Sequence, residues 1–295
     1  MMQLHFAPLA PMATKASAAL DRLTVGGGVL EPHGPVGAGN AQILLNAVAI
    51  MLMIVVPTIL ATFAFAWWFR ASNKRATYRP DWTYSGRIEL IVWGIPLLVV
   101  LFLSGVIWIG SHDQDPSRPL AGERQPVEIQ VVSLDWKWLF IYPEEGVASV
   151  NELVVPAGRP AHFSLTSGTV MNMFYVPQLG SMIATMNGMT TELHLKADRP
   201  GDYYGQSAQF SGAGFSDMHF VLRALPPDSF TQWTAEARKS GAALDEEAYL
   251  GLARERAASP TRHYGSIDRA LFENVASRRL SSEGGPVSGH AQSME

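Results

Sequence analysis

Cysteine is missing from the chain of 295 residues, and this absence excludes several kinds of site at once. Without a thiol the chain forms no disulfide, no thiolate nucleophile, no iron–sulfur cluster and no cysteine-ligated zinc or copper centre. A lipid anchor on an N-terminal cysteine is excluded as well. Metal or redox chemistry in this chain would therefore depend on other side chains.

Charge is also scarce. Charged residues make up 16% of the chain against 47% hydrophobic residues, and the net charge is −4. Soluble globular proteins carry about a quarter of charged residues, so this composition indicates a membrane protein. The lack of a basic surplus argues against nucleic acid as a partner.

Two long apolar runs predict transmembrane helices. Residues 43–69 carry no charge and would extend roughly 40 Å as a helix, enough to cross a bilayer with some tilt. Residues 88–109 form a second run, with Glu89 as its one charge. Pro57 and Pro96 within the runs are tolerated in membrane helices. The alternative is a buried helix of a large soluble protein, and the closeness of two such runs argues against it.

The loop between the two runs sets the expected orientation. Residues 70–87 contain one acid, Asp81, and five cations, namely Arg70, Lys74, Arg75, Arg79 and Arg87. The positive-inside rule therefore places this loop in the cytoplasm. The N-terminal segment, residues 1–40, and everything after the two-helix hairpin, residues 41–110, are then expected on the periplasmic side. Residues 16–18 (ASA) are a candidate signal-cleavage site.

After the hairpin the pattern changes to period two. Residues 126–225 contain short alternating runs separated by Gly, Pro and Asn-Gly turns, which predict a small all-β sandwich or barrel. Within them, Leu193 and Leu195 alternate with His194. Residues 226–280 are predicted to be helical and surface-like, and residues 281–295 to be disordered. The predicted helices of this extension are at residues 228–240, 244–257 and 267–280.

The histidines of the β domain do not have metal-ligand spacing. His162, His194 and His219 include no i, i+2 or i, i+4 pair, and the alternation points His194 and His219 outward on separate strands. They are expected to be solvated. Hydrolase motifs with a nucleophile elbow or paired carboxylates are not found.

Methionines and tryptophans are the other unusual side chains of this domain. Thioethers can bind copper(I), but methionine more often fills a core or an interface, and we expect the latter. The methionines concerned are Met171, Met173, Met182, Met186, Met189 and Met218. The sequence DWKW at residues 135–138 could form a docking surface or part of the core.

Glu89 has two interpretations. A carboxylate near the cytoplasmic end of a membrane helix costs free energy unless it is solvated or paired. It could be an interfacial acid paired with Arg87 or Lys74, or it could be the group through which protons enter a pathway in a partner subunit.

Several motifs carry a resemblance to a known family over residues 28–275. They are LEPHGPVG at 30–37, RASNK at 70–74, E-x-x-x-W-x-x-P from Glu89, VVSLDWKWLFIYP at 131–143, VMNMFYVPQLGS at 170–181 and PGDYYGQSAQFSGAGFSDMHF at 200–220. In these motifs the chain resembles subunit II of the haem-copper respiratory oxidases. The resemblance implies two transmembrane helices followed by an exported all-β, cupredoxin-like sandwich and a short helical C-terminal region.

One branch of that family, the cytochrome c oxidases, holds a dinuclear copper centre in this domain. Its ligand pattern, V-x-H-S-F followed by C-x-E-x-C-x-x-x-H-x-x-M, falls here on Asn172, Ser207, Gln209, Ser211, Phe215 and Met218. Only the methionine remains. Neutral hydroxyls do not replace bridging thiolates, so these positions are expected to hold no metal.

The chain therefore resembles the other branch, subunit II of the cytochrome bo-type ubiquinol oxidases. This resemblance implies a complex of the bacterial inner membrane that oxidises ubiquinol, reduces oxygen to water and pumps protons. Haem b, haem o or a similar haem, and one copper would belong to subunit I, so this chain is expected to bind no cofactor and to have no catalytic site. Expected partners are subunit I, further small membrane subunits and membrane lipid, but not cytochrome c.

Two other functions remain open from the residues alone. One is a cytochrome c oxidase subunit II with a dinuclear copper site for electron entrance, and the other is a membrane-tethered β scaffold or copper chaperone. Bound copper would favour the first, and failure to associate with a haem protein would favour the second.

Overall fold

The structure, a computed structural model, describes residues 28–77, 79–120, 125–255, 257 and 259–280. The candidate cleavage site at residues 16–18 and the predicted disordered tail at 281–295 lie outside these described residues. The chain divides into two compact units. One is a helical unit, Gly39–Asp115, and the other combines Met1–Ala38 with Pro116–Glu295.

The helical unit contains the two predicted long apolar helices. They are α1 (Pro35–Trp68), whose first residues belong to the other unit, and α2 (Gly86–Asp113). Both are long and apolar enough to cross a membrane, and no residue of their apolar windows is buried in this chain. Pro57 and Pro96 lie inside the helices without ending them. Exposed apolar surface on this scale requires lipid or a partner subunit around it.

The second unit is a two-layer β-sandwich with a C-terminal extension, which confirms the predicted fold class. Its strands are β1 (Val127–Leu134), β2 (Lys137–Tyr142), β3 (Val147–Val150), β4 (Glu152–Pro156), β5 (Ala161–Ser167), β6 (Asn172–Tyr175), β7 (Ile183–Thr185), β8 (Thr191–Leu195), β9 (Gly201–Ser207), β10 (His219–Leu225), β11 (Ala243–Leu244), β12 (Arg262–Tyr264) and β13 (Ser266–Ile267). Its helices are α3 (Pro227–Arg238), α4 (Glu246–Arg254) and α5 (Leu271–Ala276).

Two mixed sheets form the sandwich. The first has the order β12-β3-β2-β1-β5-β8 and the second the order β4-β10-β9-β6-β7. Strands β1 and β5 run parallel, as do β4 and β10, and the other neighbours are antiparallel. The strands β11 and β13 pair separately in the extension.

The core between the sheets is aromatic. Alternate residues of β2, namely Trp138, Phe140 and Tyr142, are fully buried in it. Trp138 meets Phe174 edge-on at 5.5 Å between ring centroids, and Phe140 lies 5.2 Å from Phe220. Edge-to-face and tilted pairs of this kind add about 0.5–1.5 kcal/mol each beyond the area that they bury.

The other residues of β2 are buried as well, and this corrects one expectation. Leu139 and Ile141 pack against Tyr249, Leu252 and Phe272 of the C-terminal extension, in a second apolar cluster on the outer face of the first sheet. The extension is therefore a third layer and not a surface-like appendage. A strand with apolar residues in succession, such as KWLFIY, is typical of burial on both faces.

The helices of this layer are also shorter than predicted. Residues 266–267 form β13 instead of beginning a helix, because they pair with β11 and the Asp268 N–H bonds to the Leu244 carbonyl at 3.0 Å. Helix α4 begins after Asp245, whose carboxylate accepts the Ala248 N–H at 2.9 Å. An N-terminal cap of this type favours that starting point over residue 244.

The LEPHGPVG motif before α1 docks on the β-sandwich. The His33 N–H donates to the Gln178 carbonyl at 2.9 Å, and the Asp198 N–H donates to the His33 carbonyl at 2.8 Å. Gly34 is required here because a Cβ atom would collide with the Lys196 carbonyl oxygen. The segment that precedes α1 and the β-sandwich are therefore packed together.

Candidate functional site

The six residues that fall on the copper-ligand pattern come together at one end of the second sheet. Asn172 begins β6, Ser207 ends β9, and Met218 immediately precedes β10. These strands are neighbours in the order β10-β9-β6, so their ends meet. Gln209 and Ser211 lie in the loop after β9, and Phe215 begins a short 3₁₀ turn, Phe215–Asp217.

The polar members of this group bond to one another. The Ser207 hydroxyl lies 3.2 Å from Asn172 Oδ1 and 3.3 Å from the Gln209 carbonyl oxygen. The Ser211 hydroxyl donates to the Met218 sulfur at 3.9 Å. Asn172, Ser207 and Met218 are 1%, 4% and 2% exposed, so these contacts replace hydration that the residues lack.

The network extends into the first sheet. The Thr185 hydroxyl donates to the Asn172 carbonyl at 3.2 Å and lies 2.8 Å from the Ser133 hydroxyl. All of these groups are neutral, and Ser133 and Thr185 are fully buried. A buried polar network whose members satisfy one another fixes the relative position of the two sheets.

This donor set does not fit a dinuclear copper centre. Such a centre needs soft thiolate and imidazole ligands, whereas the positions hold an amide, two hydroxyls, a second amide, a phenyl ring and one thioether. Among the described residues, no group of three or more histidine, aspartate or glutamate side chains is arranged to hold a metal ion. The chemistry of the residues therefore assigns this end of the sheet a structural role.

Trp136 covers the loop that follows β9. It lies in the turn between β1 and β2 with φ of 61°, and its indole N–H donates to the Ser211 carbonyl at 3.2 Å. Its ring lies against Gly214, where a Cβ atom would collide with it. Of the two tryptophans of the DWKW motif, Trp138 is core, and Trp136 is partly buried and packs against the same core.

Lys137, between these tryptophans, is a buried structural residue that the sequence reasoning missed. It is fully buried, and its ammonium group donates to the carbonyl of Leu252 at 2.9 Å and to that of Glu255. These carbonyls belong to the C-terminal end of α4, where the helix leaves acceptors unpaired and the dipole favours a cation. Burial lowers the pKa of Lys137, and the Glu255 carboxylate acts in the opposite direction.

The histidine prediction was wrong for two of the three residues. His162 and His194 are cross-strand partners on β5 and β8, and their rings stack at 4.5 Å. His194 is only 8% exposed because its strand is covered by the segment at Pro116, whose carbonyl accepts the His194 N–H at 3.0 Å. Burial, followed by the nearby His162, lowers the pKa of His194. His162 Nδ1 lies 2.6 Å from a carboxylate oxygen of Glu128.

Four exposed apolar side chains lie in the loops next to β6, β7, β8 and β9, and we refer to them as the apolar rim: Met171, Met182, Met189 and Phe210. Met171, Met182 and Met189 are about half exposed, at 44%, 46% and 53%. Phe210 is 73% exposed and touches Phe215 edge-on. Met218 is core, so the methionines divide between core and exposed rim.

Glu89 lies in the first turn of α2 and is exposed in this chain. The N-terminal end of a helix favours a carboxylate, which reduces the cost of holding one here. None of the described cations, Arg87 and Lys74 included, lies within ion-pair distance of it.

Comparison with known proteins identifies the family. The family model for "Cytochrome C oxidase subunit II, periplasmic domain" matches residues 129–225. The ubiquinol oxidase subunit 2 of Acetobacter aceti is 44% identical over 85% of this chain and 82% of its own length. The cytochrome bo(3) ubiquinol oxidase subunit 2 of Pseudomonas putida is 44% identical over 85% of this chain and 80% of its own length. The cytochrome bo(3) ubiquinol oxidase subunit 2 of Pseudomonas aeruginosa is 43% identical over 85% of this chain and 76% of its own length. These matches confirm the resemblance in the sequence motifs, and the chain belongs to the family of ubiquinol oxidase subunit 2.

Proposed function

We propose that this chain is a non-redox subunit of a terminal oxidase that oxidises ubiquinol and reduces oxygen to water. The observation that carries the proposal is that Asn172, Ser207 and Ser211 provide neutral side chains at positions where a copper centre needs thiolates and imidazole; Ser207 bonds to Asn172, and Ser211 bonds to Met218. Without that centre, cytochrome c would have no route for its electrons through this chain. The relatives named ubiquinol oxidase subunit 2 point to the same electron donor.

In this proposal the redox groups belong to subunit I. Haem b, haem o or a similar haem, one copper and the quinol site would lie there, and this chain would contribute packing and assembly. Two features support such a partnership. The apolar faces of α1 and α2 are uncovered, and the rim that includes Met171, Met182 and Phe210 is exposed. Further small membrane subunits and lipid would cover the remaining apolar surface.

Co-purification tests this assignment. The tagged full chain, extracted in mild detergent from cells grown with oxygen, should bring down a haem protein with ubiquinol-dependent oxygen uptake. Recovery of the chain alone would overturn the assignment and favour a membrane-tethered scaffold. Stoichiometric copper bound to the isolated chain would instead favour an electron-transfer or chaperone role.

We also propose that the β-sandwich is periplasmic. The segment at His33 packs on the sandwich, so residues 28–38 and the sandwich are expected on the same side of the membrane. The loop with five cations and one acid is then expected on the cytoplasmic side. The cysteine-free chain makes a direct test simple, because each engineered cysteine is unique. A maleimide that does not cross the inner membrane should label Ser240→Cys in spheroplasts and Thr83→Cys only after lysis, and the reverse pattern would contradict this orientation.

We further propose that Glu89 lies at the mouth of a proton pathway. Its position in the first turn of α2, exposed and without an ion pair to a described cation, supports this role. Glu89→Gln should slow proton-coupled turnover and leave the assembly of the complex intact. Asp81→Asn, which removes an acid from the adjoining loop, is the matched control and should leave turnover unchanged. Equal turnover in Glu89→Gln and wild type would remove the proposed role.

A further inference from the structure

A cleft of about 900 Å³ lies where α1 ends and α2 begins, within the helical unit. Its lining combines two chemistries. The apolar part is mainly aromatic, with Trp68, Phe69, Trp82 and Ile88, and the polar part contains the guanidinium groups of Arg70, Arg75 and Arg79. A cleft lined by both apolar and cationic side chains matches an amphipathic anion.

The RASNK motif holds the wall of this cleft in place. The Arg70 guanidinium donates to the Trp67 carbonyl at 2.8 Å and lies 4.7 Å above the Trp67 ring. The Asn73 amide donates to the Trp68 carbonyl at 2.6 Å, and its oxygen accepts the Arg75 N–H at 3.1 Å. These bonds satisfy carbonyls at the end of α1 that would otherwise lack partners. The loop is therefore ordered by its own side chains before any ligand binds.

Among the residues that the structure describes, no acid forms an ion pair with the cations of the cleft. Asp81 is the single acid of residues 70–87, and it is not part of the lining. No described carboxylate forms an ion pair with Arg75 or Arg79. Arginine forks bind phosphate oxygens through paired hydrogen bonds. The unmatched charge therefore favours a phosphate-bearing ligand.

The position of the cleft selects among such ligands. It opens beside the ends of two helices that are long and apolar enough to span a bilayer, at the level of Trp67 and Trp68. Tryptophans at the end of an apolar run mark the headgroup region, and anionic lipids are concentrated in the cytoplasmic leaflet. A lipid at this depth presents its phosphate to the arginines and the start of its chains to the apolar wall.

We propose that this cleft binds one anionic phospholipid, with its phosphate between Arg75 and Arg79 and its glycerol and acyl groups along Trp68 and Ile88. The proposal requires that α1 and α2 cross a membrane. It does not depend on which electron donor the complex uses.

The test compares two double variants of the full chain in its purified complex. Arg75→Gln with Arg79→Gln removes two cations from the cleft, and Lys74→Gln with Arg87→Gln removes two cations of the same loop that do not line it. Each complex is placed in nanodiscs of phosphatidylcholine with increasing phosphatidylglycerol. The phosphatidylglycerol retained after extraction is counted by native mass spectrometry.

Wild type should retain one phosphatidylglycerol molecule. The phosphatidylglycerol content that gives half-saturation should be well below the content that the cleft variant requires. General attraction to an anionic surface should weaken equally in both double variants, so the cleft variant should lose at least about tenfold more affinity than the control. Equal losses in the two variants would overturn the proposal in favour of bulk charge. No loss in either variant would also overturn the proposal, because the retained lipid would then lie outside the cleft. Retention by the isolated chain but not by the complex would overturn it too, because another subunit would then cover the cleft.

Free phosphate is the other source of the same chemistry. Millimolar inorganic phosphate should not displace phosphatidylglycerol from wild type, because it offers nothing to the apolar wall formed by Trp68 and Ile88. Displacement at these concentrations would make this a site for a soluble anion and overturn the assignment to lipid.

Discussion

Replacement of Lys137 by methionine should destabilise the β-sandwich and its C-terminal layer. Methionine keeps the unbranched stem but removes the ammonium group, so the carbonyls of Leu252 and Glu255 lose their buried donor. A hydrogen bond from a charged donor contributes about 1.5–3 kcal/mol, and a cation at a helix C-terminus adds about 0.3–1 kcal/mol. Relief of lysine desolvation offsets part of this loss. We therefore expect the free energy of unfolding to fall by about 2–4 kcal/mol.

The assay is urea unfolding of the full chain in detergent, followed by near-ultraviolet circular dichroism, with limited proteolysis of the extension as a second readout. The matched control is Lys239→Met, an exposed lysine just after α3, for which surface substitutions predict a change within about 0.5 kcal/mol. Cleavage in α4 should become faster in Lys137→Met alone. If Lys137→Met unfolded within 0.5 kcal/mol of wild type, the buried ammonium would not hold the extension on the sheet.

Three further substitutions test the packing of the sandwich. The Tyr142 hydroxyl bonds to both backbone groups of Val154, at 3.0 Å and 2.8 Å, so Tyr142→Phe should cost about 1–3 kcal/mol of unfolding free energy. Tyr249→Phe removes a buried hydroxyl that has no partner among the described residues and should be neutral or stabilising; equal losses in the two variants would contradict this reasoning. Burial alone would raise the pKa of Glu152, but hydrogen bonds from Arg223 and His263 lower it below the usual 4.5. The stability that the Glu152 carboxylate contributes is therefore present at neutral pH and is lost as the pH falls through the lowered pKa. Glu152→Gln should therefore flatten the acid limb of a stability–pH curve, and an unchanged limb would show that other groups control it.

The features that follow from local pattern were predicted well from the sequence. The long apolar runs predicted the helices α1 and α2, and the runs that alternate with period two predicted the β-sandwich. The positions of Asn172, Ser207 and Met218 were assigned from the resemblance to the family's ligand pattern, and the structure places each of them at or beside the end of a strand. Local pattern suffices where neighbouring residues in the chain decide the structure.

Features that depend on strand register were not predicted. His162 and His194 are 32 positions apart, and only the pairing of β5 with β8 places their rings together. The role of Lys137 depends likewise on the return of the chain from α4 to β2. One clue was available in the lysine itself, because a charged residue inside the apolar run KWLFIY requires a buried partner.

The glycines of LEPHGPVG show a similar limit. Gly34 is needed because the segment before α1 approaches the Lys196 carbonyl, and that approach joins residues far apart in sequence. The motif could be recognised as characteristic of the family, but its physical reason required the packed structure.

The electron donor of the purified complex tests the central claim most directly. Oxygen consumption should be supported by ubiquinol and should not be supported by reduced cytochrome c at equal electron equivalents, because Asn172, Ser207 and Ser211 cannot hold the copper centre that would accept electrons from cytochrome c. Rapid oxygen consumption with reduced cytochrome c, together with copper bound stoichiometrically to this chain, would contradict the account.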